Sequence, residues 1–235
     1  MADPWEETLS EHLQVIKQVF DIIALAVRRS ADIGGENPTV SRRVTTTLLI
    51  QIAQDIGAIS LLGCSGFPYH AVTVSVSTFE HGMMLASIGS DNARAQRWLD
   101  HSIQTQNLDG VRTLVNLALE NLDQAHPGLK TALGDPYGGM FTPLCTFKHG
   151  NPIVQQHIHT GVDNPLSNFS VANRRAVVAA FWAFEAAIRS GWIALLSFIQ
   201  HQLQGSSELI EATKEINRAY NKLVKIRHQK ETEPN

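Results

Sequence analysis

The sequence predicts an all-α protein, a single-domain bundle of about six to seven helices with one long irregular segment at about 134–173. Apolar residues recur at alternating steps of three and four along most of the chain, as they do on one face of a helix. Cap residues and glycine stops flank these stretches. Because 43% of the 235 residues are hydrophobic and no linker interrupts them, we expect one core spanning residues 1–235.

The first two helices have clear ends in the sequence. Asp3 caps a predicted helix whose first turn contains Pro4 and which stops at Gly34-Gly35. A second helix begins near Pro38-Thr39 and ends at the glycine break of residues 63–66. Each carries one apolar stripe, formed in the first by Leu9, Leu13, Ile16, Phe20, Ile23 and Val27 and in the second by Val44, Leu48, Ile52, Ile56 and Ile59.

Residues 72–77 alternate in polarity as a half-buried strand does. We nevertheless predict a helix there, because Pro68 suits a first helical turn and a lone strand would leave its backbone groups unpaired. Ser90 is the predicted cap of the next helix, which runs to His101. Either Asn107 or Asp109 is expected to cap another helix, which ends at residues 126–128.

The most apolar stretch is Ala176 to Ile199, which is long enough to span a bilayer. Glu185 and Arg189 interrupt it four residues apart, so they can pair on a helix, and a buried core helix is the better interpretation. We therefore expect no membrane span. An amphipathic last helix, after residues 205–207, is expected to pack on the bundle surface.

The irregular segment of residues 134–173 is the first place to look for function, since long irregular stretches in compact domains often carry it. Only a short helix, at about 139–148, is predicted within it. His149, His157 and His159 could bind a divalent metal such as zinc or iron, with Asp163 as a fourth ligand. Alternatively, these histidines bond loop carbonyls or face solvent.

Three further groups could carry chemistry. Glu80 and His81 lie in an apolar helix, where a carboxylate needs a partner such as Arg189, the Arg174-Arg175 doublet or Lys148-His149. Arg94 and His101 are two helical turns apart and could bind a phosphate and act as acid or base in RNA cleavage. The alternatives are a structural ion pair and a solvated helix face.

The doublet Arg174-Arg175 falls in the first turn of a predicted helix, where the helix dipole disfavours cations. It either is compensated by nearby carboxylates or binds an anion such as phosphate.

Composition narrows the classes of function. The net charge of −3 gives no overall attraction to nucleic acid, so binding RNA would need a local basic patch. The acidic N-terminus and only two cysteines favour the cytoplasm. Neither a phosphate-binding glycine loop nor a nucleophile elbow is present.

Short landmarks over about residues 66–150 resemble an uncharacterised bacterial all-helical family of unknown function, which is itself compared with HEPN proteins. They are the residues 66–71, Phe79-Glu80, the residues 92–95 with Trp98-Leu99, and Leu144-Cys145 before residues 148–150. HEPN bundles include RNases and nucleotide-binding modules. The resemblance implies that Glu80 and His149 meet in space. Val76 and Cys145 or Thr146 stand where that family has an arginine and a serine.

Three functions are compatible with these features, and whether the protein is an enzyme is open. The first is a HEPN-like bundle that acts on RNA or binds a nucleotide through Arg94 and His101, or through Glu80 and His149. The second is a metal-binding protein or metalloenzyme that uses the histidines at 149, 157 and 159. The third is a non-catalytic homodimer that buries either residues 176–199 or the stripe of the first helix.

Overall fold

A computed structural model describes residues 4–101, 110–148 and 174–232. Within these ranges, side chains are described except at Pro4, His101, Phe147, Lys148, Arg174 and Arg175. All regular structure in this part of the chain is helical, so the predicted all-α class is confirmed.

The N-terminal part forms α1 (Pro4–Thr8), α2 (Ser10–Gly34), α3 (Val40–Cys64), α4 (Pro68–Ile88) and α5 (Asn92–His101). Then follow α6 (Val111–Ala125), α7 (Leu129–Leu133), a π-helical turn (Tyr137–Phe141) and α8 (Thr142–Lys148). The last two helices are α9 (Arg174–Gln202) and α10 (Ser207–Thr232). The described residues contain more helices than the six to seven predicted, because short helices such as α1 and α7 are present beside the long ones.

The centre of the bundle is the pair α4 and α9. Helix α9 contacts α4, α3, α2 and α10, while α4 also packs against α3, α6 and α8. Gly82 allows the close approach of α4 to α9, since a Cβ there would lie only 3.0 Å from the carbonyl oxygen of Ser190. The last helix, predicted to pack on the bundle surface, contacts α9 and α2.

Most predicted helix ends agree with the structure. Thr39 caps α3 by accepting a hydrogen bond from the Arg42 amide, and Gly35 ends α2 with a φ of 56°. Residues 72–77 are helical, as predicted, and lie inside α4. The cap of α5 is Asp91 rather than Ser90, because Asp91 Oδ1 accepts a hydrogen bond from the Arg94 amide at 3.0 Å.

The stripe predicted for the first helix is slightly misplaced. Phe20, which that stripe places inside, is 46% exposed. The buried face of α2 is centred instead on His12, Val19 and Ile23. The buried face of α2 therefore lies partly to one side of the predicted stripe, and it includes a histidine, His12.

Two described helices, Val40–Cys64 and Ala176–Gln202, are long and apolar enough to cross a membrane by length and composition. The second is mostly buried by the rest of this chain, which is how a core helix behaves. Its own bundle thus covers most of this helix, and a homodimer stays a prediction. The absence of a membrane span and a cytoplasmic location remain predictions.

Candidate acid–base site on α4

The site begins with two isolated polar residues on neighbouring helices. Helices α3 and α4 are joined by only three residues, so they run antiparallel and bring Asp55 beside His81. Asp55 interrupts the apolar face of α3, and His81 interrupts the apolar α4. A polar group in such surroundings needs a hydrogen-bond partner, and each of these residues provides one for the other.

The Asp55–His81 pair has well-defined geometry. Nδ1 of His81 lies 2.8 Å from Oδ2 of Asp55, and the amide Nε2 of Gln51 donates to Oδ1 of Asp55 at 3.1 Å. The Asp55 side chain is only 12% exposed, whereas that of His81 is 32% exposed. Both carboxylate oxygens are thus occupied inside the protein, while the imidazole reaches the surface.

This arrangement fixes the role of each ring nitrogen. A carboxylate only accepts hydrogen bonds, so Nδ1 of His81 must donate to Asp55. In the neutral ring, Nε2 is then the acceptor and carries the free lone pair. A carboxylate that orients a histidine in this way is the arrangement that prepares it for general-base catalysis or for binding a metal ion.

Two more polar side chains lie on the same outer strip of α4. Ser77 precedes Glu80 by three residues and His81 by four, so its Cβ is about 5–6 Å from both. Ser77 and Glu80 are each half-buried. We define the α4 strip as Ser77, Glu80 and His81, together with Asp55. It joins a hydroxyl, a carboxylate and an oriented imidazole on one accessible surface.

The structure tests the partners predicted for Glu80 only in part. Arg189 is not its partner, because its guanidinium packs between the rings of Trp192 and Tyr220, at 5.1 and 5.0 Å. No hydrogen bond or ion pair joins Glu80 to any residue in the described part of the chain. The side chains of Arg174, Arg175 and Lys148, the other proposed partners, are outside the description.

The pair predicted between Glu80 and His149 involves a residue outside the described ranges. Helix α8, which ends immediately before His149, packs against α4. Phe141, just before α8, stacks on Phe79 with ring centroids 5.4 Å apart. The chain therefore approaches the Glu80 turn shortly before position 149. That the two side chains meet stays a prediction.

The Arg94 and His101 pair is also described only in part. Both residues lie on α5, as predicted, but the side chain of His101 is outside the description. The Arg94 side chain is 20% exposed, and its Nε and Nη1 are buried without a hydrogen bond. Its Nε is 3.9 Å from Asp91 Oδ2. Arg94 therefore lies largely inside rather than on a solvated face.

The metal and anion predictions fall mainly outside the described residues. His149, His157 and His159 are in 149–173, which the structure does not describe. Among the residues that are described, no three histidines, cysteines or acids converge as a metal site would require. Arg174 and Arg175 are the first two residues of α9, as predicted for the doublet, and their binding of an anion stays a prediction.

The prediction that Glu185 pairs with Arg189 is wrong. Both Glu185 oxygens accept from Nε of Arg227, on α10, at 3.0 and 3.1 Å. Burial alone would lower the pKa of Arg227, but the charge of Glu185 and the hydrogen bonds to Glu231 and Glu185 outweigh it and raise that pKa. Arg227 lies on the same buried face of α10 as Ile216 and Leu223. A cation at a position where the helix pattern expects an apolar residue is a sign of a buried acid partner, which the sequence-based prediction missed.

No family model matches the chain, and neither the curated proteins nor the solved structures compared with it provide a match. The function must therefore be inferred from the site itself.

Proposed function

We propose that the protein is a HEPN-like helical enzyme that cleaves RNA, with His81 as its general base. The observation that carries this proposal is the 2.8 Å contact between His81 Nδ1 and Asp55 Oδ2, which leaves Nε2 at the surface. A base in this position can take the proton from a ribose 2′-hydroxyl. The 2′-oxygen then attacks the adjacent phosphorus, and the bond from phosphorus to the 5′-oxygen of the next nucleotide breaks. That oxygen takes up a proton from water, and the other product is a 2′,3′-cyclic phosphate, so the step requires no metal ion.

One cationic side chain, Arg94, and one acidic side chain, Glu80, support the proposed reaction. Arg94 is the cation predicted for the phosphate. It lies on α5, which packs against α3, the helix of Asp55, but begins beside Ser41 at the opening of α3, so a bound RNA strand would extend along α3 from His81 to reach it. Two of its guanidinium nitrogens make no hydrogen bond to the protein, and its nearest carboxylate, Asp91, is 3.9 Å away and half exposed. Glu80 lies next to His81 on the α4 strip and is the acid nearest in sequence to the proposed base.

The test is RNA cleavage by untagged protein in the presence of a metal chelator. We expect His81→Gln and Asp55→Asn each to lower the rate by about 10²- to 10⁴-fold, the usual contribution of a general base. The exposed His70, on the same helix, gives the matched control His70→Gln, which should retain the rate. Intact RNA with the wild-type protein, or equal rates for His81→Gln and His70→Gln, would refute the proposal.

Unfolding of the variants could also lower the cleavage rate, and their thermal unfolding tests this explanation. Glutamine at position 81 keeps an amide that can donate a hydrogen bond to the buried Asp55 carboxylate. Thermal unfolding of His81→Gln should therefore stay close to that of the wild type.

The two other functions remain predictions. Elemental analysis of untagged protein tests metal binding by His149, His157 and His159. Light scattering measures the mass in solution and so tests for a homodimer.

A further inference from the structure

A cavity of about 390 Å³ lies between the end of α2 and the start of α3. This volume is in the range of small-molecule sites in proteins. It is separate from the α4 strip, because α2 lines it and α4 does not. The residues that line it are Val27, Ser30, Ala31, Gly34, Gly35, Pro38, Arg42, Arg43, Thr46 and Thr47.

The charged side chains that line the cavity are all positive. Both charged residues are arginines, and no carboxylate is among the ten residues. Asp32 and Glu36, the acids nearest in sequence, are exposed and do not line the cavity. Three hydroxyl-bearing side chains add donors that can rotate towards a ligand. A small anion is therefore the class of ligand that this surface suits.

The two arginines have different roles. Arg42 donates from Nη2 to the Gln202 carbonyl at the end of α9, at 2.8 Å, so it is held in place by the fold. Arg43 is exposed, and no carboxylate in the described part of the chain pairs with it. Its charge is therefore free to meet a ligand.

Thr47 donates to the Arg43 carbonyl at 3.0 Å, but the other two hydroxyl groups are only weakly engaged. The Oγ atoms of Ser30 and Thr46 are 3.4 Å apart, which is long for a hydrogen bond between hydroxyls. A ligand oxygen that accepts from either one would improve on this contact. The other wall, made of Val27, Ala31 and Pro38, is apolar and suits the carbon skeleton of an organic ligand.

We propose that the α2–α3 cavity binds a small organic phosphate, with Arg43 and the hydroxyls of Ser30 and Thr46 on the phosphate group. Arginine provides several donors in a planar array, and phosphate oxygens accept such hydrogen bonds strongly. The apolar wall holds the organic part. This site is independent of the proposed RNA cleavage, since none of its residues belongs to the α4 strip.

Isothermal titration calorimetry with adenosine 5′-monophosphate, inorganic phosphate and adenosine tests the assignment. We expect the nucleotide to bind more tightly than either half. Arg43→Gln should weaken binding about tenfold or more, as the loss of a charge-assisted hydrogen bond does. Arg28→Gln, an equal change of charge at an exposed position of α2 outside the cavity, should leave the affinity within about twofold of the wild type.

A second variant blocks the cavity without changing its charge. Ala31 lines it and is exposed on a helix, so Ala31→Leu adds volume at its mouth and keeps good helix propensity. We expect this variant to lose nucleotide binding while unfolding at the wild-type temperature. His81→Gln should bind the nucleotide normally, which separates this test from that of RNA cleavage.

Three outcomes would overturn the proposal. One is no heat of binding from the nucleotide at millimolar concentration, and another is equal affinity for adenosine and its monophosphate. The third is equal weakening by Arg43→Gln and Arg28→Gln, since a long-range charge effect would then explain the result.

Discussion

Replacing Arg227 with methionine should destabilise the fold more than any surface change, because Glu185 would be left buried without its cation. Glu185 is 2% exposed and receives both of its short hydrogen bonds from Nε of Arg227. Arg227 also lies 4.1 Å above the ring of Trp182 and donates to Glu231 at 2.7 Å. Methionine keeps the length of the side chain but removes all of these interactions.

The expected cost follows from these contacts. Removing one partner of a buried ion pair costs about 3–5 kcal/mol, and loss of the cation–π contact adds about 0.5–2 kcal/mol. The imidazole of His12 limits the loss, since its Nε2 is 3.9 Å from Glu185 Oε1 and can move closer to it once the guanidinium is gone. We therefore expect a loss of about 3–5 kcal/mol. For a chain of this size, that lowers the melting temperature by about 6–20 °C.

Calorimetry and urea unfolding measure this loss. The double variant Glu185→Leu with Arg227→Met should recover much of the stability, because it removes the buried charge as well. Arg218→Met, an exposed change on the same helix, is the control and should cost less than about 1 kcal/mol. A melting temperature of Arg227→Met within about 2 °C of the control, or a double variant no better than the single one, would show that the ion pair is not what holds α10.

Three other changes test the packing and the pH response. Gly63→Ala should cost about 1–3 kcal/mol in urea unfolding, because the new methyl would overlap the Phe184 ring, and an unchanged midpoint would contradict this. Asn121→Ala should cost about 1–3 kcal/mol, since it leaves two carbonyls at the end of α4 without their donor, and thermal unfolding would show it. Burial lowers the pKa of His201, and nearby His126 lowers it further. Burial also lowers the pKa of His126. The unfolded chain therefore binds more protons, so stability should fall as the pH drops through about 6.5, the unfolded value. In His201→Gln this fall should be smaller, and an identical pH dependence would contradict the reasoning.

The sequence predicts the helices well where periodicity and caps agree. The stripe of α3 from Val44 to Ile59 is buried as predicted, and Gly35 ends α2. Residues 72–77 show that a period of two is compatible with a helix when small polar residues of the segment face the core. Ser75, for example, is buried and bonds the carbonyl of Val72 within its own helix.

Partners distant in the chain could not be predicted in this way. Glu185 has a suitable cation four residues later, but helix packing places Arg227, 42 residues away, on its carboxylate. In the sequence, His81 stands out only as the neighbour of Glu80. Its partner Asp55 follows from the register of α3 against α4, which no local pattern in either helix encodes.

The enclosure of α9 by the other helices has a consequence for synthesis. The ribosome makes α2, α3 and α4 before the helix that they surround, which begins at Arg174 and ends at Gln202. Until that helix emerges, the faces of α2, α3 and α4 that contact it have no partner, and only contacts such as those of α4 with α3 and α6 can form. Nascent chains of about 150 residues should therefore stay loosely collapsed and depend on chaperones, with cooperative folding only after α9 has left the exit tunnel.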